Sequence, residues 1–319
     1  MEERDLALPA PYDAPGVFAF LSHRAIRGVE HAQRLPGGRL RYARTLHLPG
    51  GPGACEVTFA PAPRTPAAQV TAAHAPAAEA PATQRWAARA RLELAREDDA
   101  DAALATVRAL FDLDTDPAAV GAALAGNPLT AQAIAARPGV RVPGIPDAPE
   151  ALLRAISGQQ IAVARAVGYL GEAAEHLGTP YRPGGSASAF EGLSVLVPTA
   201  AQLAEGIPPA VPGKPDPARP LRLPARSTEA IRALAADLAA GRLVLESGAR
   251  STGADASADD PAAALSAYAG VGEWSAGYVR MRLLRDPDVW LGGDMYLRGI
   301  DAEGCRPWRS YAGMLVWLF

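Results

Sequence analysis

Residues 265 to 297 read LSAYAGVGEWSAGYVRMRLLRDPDVWLGGDMYL and hold three features with chemical use. Gly270-Val271-Gly272 predicts a tight turn between a helix ending near Tyr268 and one running from Glu273 towards Arg285. Glycine lets a backbone approach a ligand closely, because no Cβ intervenes. The N–H groups opening the next helix are unpaired and point outward, so the turn suits an anion such as phosphate. Trp274 and Tyr278 are four residues apart and share one helical face. Asp294 follows a short loop, at the expected start of another helix. Each feature also has a plainer reading. A Gly-x-Gly turn commonly does no more than join two helices, and an Asp at a helix start commonly does no more than cap it.

The combination resembles the helix-hairpin-helix DNA glycosylase superfamily. There the hairpin holds the DNA backbone, and an Asp beyond it acts on the glycosidic bond of a base. Two more stretches resemble its AlkA-type 3-methyladenine members: PYDAPGVFAFLSHRAIRGVE at 11–30 and PWRSYA at 307–312. The resemblance implies Asp294 as the catalytic residue and Trp274, Tyr278 and Trp317 as the base pocket. It implies Gly270, Val271 and Gly272 as DNA-backbone contacts, with a monovalent cation on carbonyls near Gly270 and Gly272, and otherwise no metal and no cofactor. AISGQQIAVARA at 155–166 resembles the segment that enters the base stack where a nucleotide leaves. The DNA contacts there are Gln159 and Gln160, with Ile161 beside the wedge position. A plain inter-helix turn with a capping Gln is the alternative for that stretch. A core position is the alternative for Trp317.

The chemistry implied is hydrolysis of a nucleoside C–N bond through an oxocarbenium-like sugar. A carboxylate near C1′ stabilises that cation, and the dipole of a helix starting at Asp294 would hold the carboxylate charged. A base made cationic by alkylation leaves as a neutral molecule and needs no acid. It also stacks well on electron-rich rings. The nucleotide must first be flipped out of the duplex. Lyase members of the superfamily carry a lysine just after the hairpin glycines. Here Glu273-Trp274-Ser275 stands there, which predicts a monofunctional hydrolase acting on double-stranded DNA with alkylated bases.

The pattern is not complete. Ala269 replaces the usual Pro before the hairpin, Gly293 precedes the Asp, and Met295 follows it where an aromatic is common. The stretch from 295 to 306 is short for the extra helix the family fits there. The alternatives are therefore a catalytically impaired glycosylase-like DNA-binding protein, or a helical protein whose hairpin mediates protein contacts.

Composition bounds these readings. The 319 residues are 49% hydrophobic, enough for a large core in two or three domains. The net charge of −3 gives no overall basic footprint, although one basic face suffices for nucleic acid. Lys214 is the one lysine; every other basic residue among the 31 is Arg. No apolar run reaches membrane-spanning length and no signal peptide opens the chain. Cys55 and Cys305 are too few for an iron–sulfur cluster or structural zinc. They predict reduced thiols in a cytoplasmic protein. A monomer without membrane association is expected.

Along the chain the expected class is α+β: a small N-terminal mixed α/β-sheet domain over 1–98, then a mostly helical helix-hairpin-helix region over 99–319 in two subdomains with a cleft between them. Residues 12–30 predict a helix carrying Phe18, Leu21, Ala25 and Ile26, then a strand. Leu40–Leu48 alternates like a half-buried strand, Ala54–Ala60 is a second, and Arg89–Leu94 a returning third. Residues 61–84 are an Ala/Pro-rich insertion without apolar periodicity. Helix is expected over 104–117, a loop over 137–147, two helices within 150–177, a short one over 199–205 and a long one over 226–243 ended by Gly241. Residues 246–260 read as a loop.

Overall fold

The structure is a computed structural model, and it describes residues 1–63, 84–159, 161–185, 187–210, 221–246 and 263–318. The predicted insertion at 61–84, the loop at 246–260 and Lys214 fall wholly or largely outside those residues, as does Gln160.

Five antiparallel strands form the N-terminal sheet: β1 (Glu2–Leu6), β2 (Glu30–Arg34), β3 (Leu40–Leu48), β4 (Gly51–Pro61) and β5 (Trp86–Leu94). Their order across the sheet is β1-β5-β4-β3-β2. Helix α1 (Ala14–His23) lies between β1 and β2 in sequence. Its N-cap Asp13 accepts from Gly16 N, and Pro15 sits in its first turn. The helix stops before Ala25 and Ile26, so those two residues pack from the following turn rather than from the helix. Even-numbered β3 side chains Leu40, Tyr42 and Leu46 join Val57, Phe59 and Leu92 in the main core. Phe111 packs edge-on against Tyr42 and Phe59. Rings buried to this depth each contribute roughly 1.5–3 kcal/mol.

The strand pattern predicts one wet face on β3, and the structure differs. Ala43 and Ala54, on the opposite face, are 3% and 0% exposed. Tyr181, Phe190, Leu193 and Leu196 cover them. Thr45 donates to the Val195 carbonyl at 3.0 Å, and His47 meets the Val197 carbonyl at 2.7 Å. A segment far along the chain thus seals the sheet. It has almost no regular structure, so no periodicity marked it.

The helical part follows. Helix α2 (Ala100–Leu110) ends before Asp112, whose φ of 51° is a left-handed stop. Pro117 therefore does not end that helix, as its position suggested; it opens α3 (Pro117–Ala125) in the first-turn position proline favours. Then come α4 (Ala131–Ala136), α5 (Ala148–Ser157), α6 (Val163–Leu177), α7 (Ala200–Gly206), α8 (Ala225–Ala239), α9 (Glu273–Arg282) and α10 (Arg309–Leu318). Thr199 and Gln202 form a reciprocal capping box on α7. The fold is α+β, and no helix among the described residues is long and apolar enough to cross a membrane.

A closed ring of four buried charges ties sheet to helices. Arg44 Nη2 lies 2.5 Å from Glu150, and Arg44 Nη1 3.3 Å from Glu30. Arg154 lies 2.6 Å from Glu30 and 2.7 Å from Glu150. Ile26 N and Tyr42 Oη also donate to Glu30. Burial would raise the Glu150 carboxyl, but the Arg44 and Arg154 guanidinium groups outweigh it and hold it down at about 2. Because α5 carries Glu150 and Arg154, its C-terminal end is fixed relative to the sheet.

Candidate active site

The end of α5 delivers Gln159 to the hairpin. Its Nε2 donates to the Gly270 carbonyl at 3.1 Å and to Ser275 Oγ at 2.6 Å. Ser275 is 1% exposed and donates weakly to the Ala155 carbonyl, at 3.4 Å. Gln159 therefore fastens the hairpin to α5 in this structure.

The two hairpin glycines differ. Gly270 has φ +100°, and an added Cβ would come 3.0 Å from the Arg226 carbonyl and 3.2 Å from Ala230 Cβ. Only glycine fits there without strain. Gly272 has an ordinary φ of −95°, and an added Cβ would meet nothing. It faces open space at the N-cap of α9, with no side chain capping that helix. Val271 between them is 9% exposed and packs inward. Glu273 in the first turn of α9 is exposed.

Several carbonyls near the expected monovalent cation already accept hydrogen bonds within the chain. The Tyr268 carbonyl accepts from Val271 N, the Gly270 carbonyl from Gln159, and the Gly272 carbonyl from Ser275 N and Ala276 N. Among the described residues no cluster of His, Cys, Asp and Glu could hold a metal ion.

Two aromatic pairs stand beside the hairpin. Trp274 and Tyr278 stack with centroids 5.3 Å apart and planes at 21°. Trp317 on α10 stacks on Phe20 of α1 at 6.3 Å and 17°. The Arg282 guanidinium joins the pairs, 4.6 Å from the Phe20 centroid and 5.5 Å from that of Tyr278. Arg282 is 3% exposed and donates to the Tyr278 hydroxyl and to the Pro143 and Gly144 carbonyls. Burial lowers its pKa below the ordinary arginine value.

Asp294 sits between the pairs. Its Oδ1 accepts from Trp317 Nε1 at 3.3 Å and from Tyr296 N at 2.9 Å. A Cβ added at Gly293 would lie 3.8 Å from Trp274 Cβ. No helix starts at Asp294; residues 292–299 are turns. The expected helix dipole is therefore absent, and two directed donors orient the carboxylate instead. The PWRSYA stretch holds the loop that leads there. Arg309 binds Asp288 through Nε at 2.8 Å and Nη2 at 3.0 Å. Ser310 Oγ donates to the Asp286 carbonyl at 2.8 Å and accepts from Val289 N at 3.0 Å.

The structure thus brings Asp294, Trp274, Tyr278 and Trp317 together beside Gly270 and Gly272. Sequence reasoning missed Phe20, Arg24 and Arg282. Phe20 is 2% exposed, and only its place off the predicted core face of α1 set it apart. Arg282 meets the site through long-range contacts, whereas Arg24 lies over Phe20, four residues before it, and that ring reaches Trp317 only in the folded chain.

Comparison with known proteins bears on the family likeness and the fold. Residues 3–147 match the AlkA N-terminal domain family. The chain is 31% identical, over 98% of its own length, to the probable bifunctional transcriptional activator/DNA repair enzyme AlkA of Mycobacterium tuberculosis. It spans 56% of that relative's length. It is 28% identical to Escherichia coli DNA-3-methyladenine glycosylase 2, over 96% of this chain and 94% of that one. The 3-methyladenine DNA-glycosylase of Archaeoglobus fulgidus shares the fold, with TM-score 0.66 and 15% identity over 100% of this chain and 98% of that structure.

Proposed function

We propose that the chain, whose residues 3–147 match the AlkA N-terminal domain family and which is 28% identical to Escherichia coli DNA-3-methyladenine glycosylase 2, is a monofunctional DNA glycosylase. It hydrolyses the N-glycosidic bond of alkylated purines, 3-methyladenine and 7-methylguanine, in duplex DNA. The observation that carries this reading is the Asp294 carboxylate, oriented by an indole and a backbone N–H between two stacked aromatic pairs.

The chemistry proceeds from those parts. The flipped base stacks against Trp274, Tyr278 and Trp317, and a cationic ring over such faces gains roughly 0.5–2 kcal/mol each. The C1′–N bond stretches and positive charge grows on the sugar. The Asp294 carboxylate stabilises that charge and aligns water on C1′. The alkylated base departs with the bonding electrons as a neutral molecule. The open N-terminus of α9 at Gly272 takes a DNA phosphate, which fixes position without reading sequence. The residues that follow the hairpin glycines, Glu273, Trp274 and Ser275, include no lysine to attack the sugar, which supports hydrolysis without lyase chemistry.

A DNA-gripping protein without activity is the second reading, and the turn in place of a helix after Asp294 favours it. Against it stands the Arg309–Asp288 and Ser310 clamp, which holds the same loop without that helix. Release of 7-methylguanine and 3-methyladenine from methylated duplex DNA by the full chain, beside Asp294→Asn, decides between them. Binding without release supports the second reading, and absence of both sinks the proposal.

A further inference from the structure

A small cavity lies where the buried ring of charges meets the aromatic pairs. Four arginines line it, Arg24, Arg44, Arg154 and Arg282, with two glutamates, Glu30 and Glu150. It has room for one water-sized guest. The ring balances its own charge, because Arg44 and Arg154 each pair with both Glu30 and Glu150. Arg24 and Arg282 are the surplus. Arg282 spends its donors on the Pro143 and Gly144 carbonyls and the Tyr278 hydroxyl. Arg24, at the C-cap of α1, makes one long bond, Nη1 to the Phe20 carbonyl at 3.4 Å. Among the described residues its Nε and Nη2 have no hydrogen-bond partner, and the residue is half-buried. Burial lowers its pKa to about 10, and the charge on Asp294 acts in the opposite direction, so it is a cation at neutral pH.

Two cations without a paired carboxylate, beside a cavity in the protein interior, are costly. A water would fill the space and leave their charge uncompensated. A metal ion would add to that charge. A phosphate or a carboxylate is larger than the space. A single-atom anion matches both the size and the sign. We propose that this cavity is a halide site that takes chloride, with the unspent Arg24 donors as its hydrogen bonds and Arg282 as its second positive charge. The inference goes beyond the glycosylase reading and does not depend on it.

The two cations come from elements that are fixed independently. The Arg24 carbonyl, at the end of α1, accepts from Arg154 Nη1 at 2.9 Å. The Arg282 carbonyl, at the end of α9, accepts from Ile145 N at 2.9 Å. An anion held by both ties α1 to α9. Both guanidinium groups also stand over the Phe20 ring, 3.8 Å and 4.6 Å from its centroid. Chloride on them lowers the positive potential beside the aromatic pairs. Because the cavity exists only in the folded chain, chloride stabilises that state in a concentration-dependent way.

The test is thermal melting of the full chain without DNA, at fixed ionic strength, with chloride, bromide, fluoride or gluconate as the anion. General salt effects favour the strongly hydrated fluoride. A halide site reverses that order. Chloride and bromide should raise the melting temperature by roughly 2 °C or more over fluoride and gluconate, and the rise should saturate with concentration. Arg24→Met keeps an apolar stem over Phe20 and removes the donors, so it should abolish the difference between chloride and gluconate. Melting that follows the general salt order overturns the proposal, as does a chloride effect that survives in folded Arg24→Met. If Arg24→Met does not fold, wild-type crystals grown in bromide decide. An anomalous peak in the cavity, within hydrogen-bond reach of Arg24, supports the site, and a cavity without bromide overturns it. A peak without the melting effect would be an adventitious ion only, and overturns it too. Base release enters none of these measurements, so the glycosylase reading stands or falls separately.

Discussion

The indole nitrogen of Trp317 donates to Asp294 Oδ1 at 3.3 Å, across 23 residues of chain. One ring therefore both stacks on Phe20 and orients the carboxylate, and its two roles can be separated. Trp317→Phe keeps a ring against Phe20 and removes the donor. Base release should fall roughly tenfold, the worth of a hydrogen bond to a charged group, with duplex affinity retained. Asp294→Asn should reduce release about 100-fold or more. If Trp317→Phe matched wild type in a single-turnover assay, the indole would not be aiming Asp294.

The hairpin glycines should respond in opposite ways. Gly270→Ala forces a side chain into a positive φ against the Arg226 backbone, and thermal melting should register a loss of about 1–3 kcal/mol. Gly272→Ala meets no neighbour and should leave the melting temperature unchanged. Should its methyl obstruct phosphate, binding weakens equally on damaged and undamaged duplexes. Loss confined to damaged DNA would contradict a backbone clamp.

The ring of buried charges sets an acid limit. Glu150 is held down at about 2, against an ordinary 4.5. A depressed carboxyl contributes stability that is fully present above the ordinary value and is lost as pH falls towards the folded one. Denaturant midpoints should therefore decline between pH 4.5 and about 2. In Glu150→Gln that part of the decline should be smaller, from a starting stability lower by about 3–5 kcal/mol, since two arginines lose a partner. A variant with the wild-type pH profile would show that the ring is not what titrates.

Borohydride reduction should trap no covalent protein–DNA adduct. Glu273, Trp274 and Ser275 offer no amine beside the hairpin. A trapped adduct would reassign the protein to the lyases and point to an amine outside this site.

Much of this was readable in the sequence, for physical reasons that also mark the limits. Tyr42 and Leu46 alternate with period two, so β3 was visible. Its second buried face was not, because Tyr181, Phe190, Leu193 and Leu196 come from irregular chain. Gly270 announced the turn through its backbone freedom. Trp274 and Tyr278 were placed together by helical spacing, and they do stack. Asp294 was identified as the candidate carboxylate, but its setting was misjudged, because a turn and a helix start both begin with an Asp accepting from nearby N–H groups. Arg24 was invisible: only the folded chain brings α1 against α10.

The covering of the sheet by residues 181–196 has a practical consequence. The chain reads as two modules with a join near residue 98, yet the outer face of the first is upholstered by chain from within the second. Cutting at that join would strip Ala43 and Ala54 of their cover and leave Tyr181 and Phe190 with nothing to lie on. Neither half is then a natural unit for expression, domain exchange or grafting onto another scaffold. A split that respects the architecture must keep the strap and the sheet on one piece.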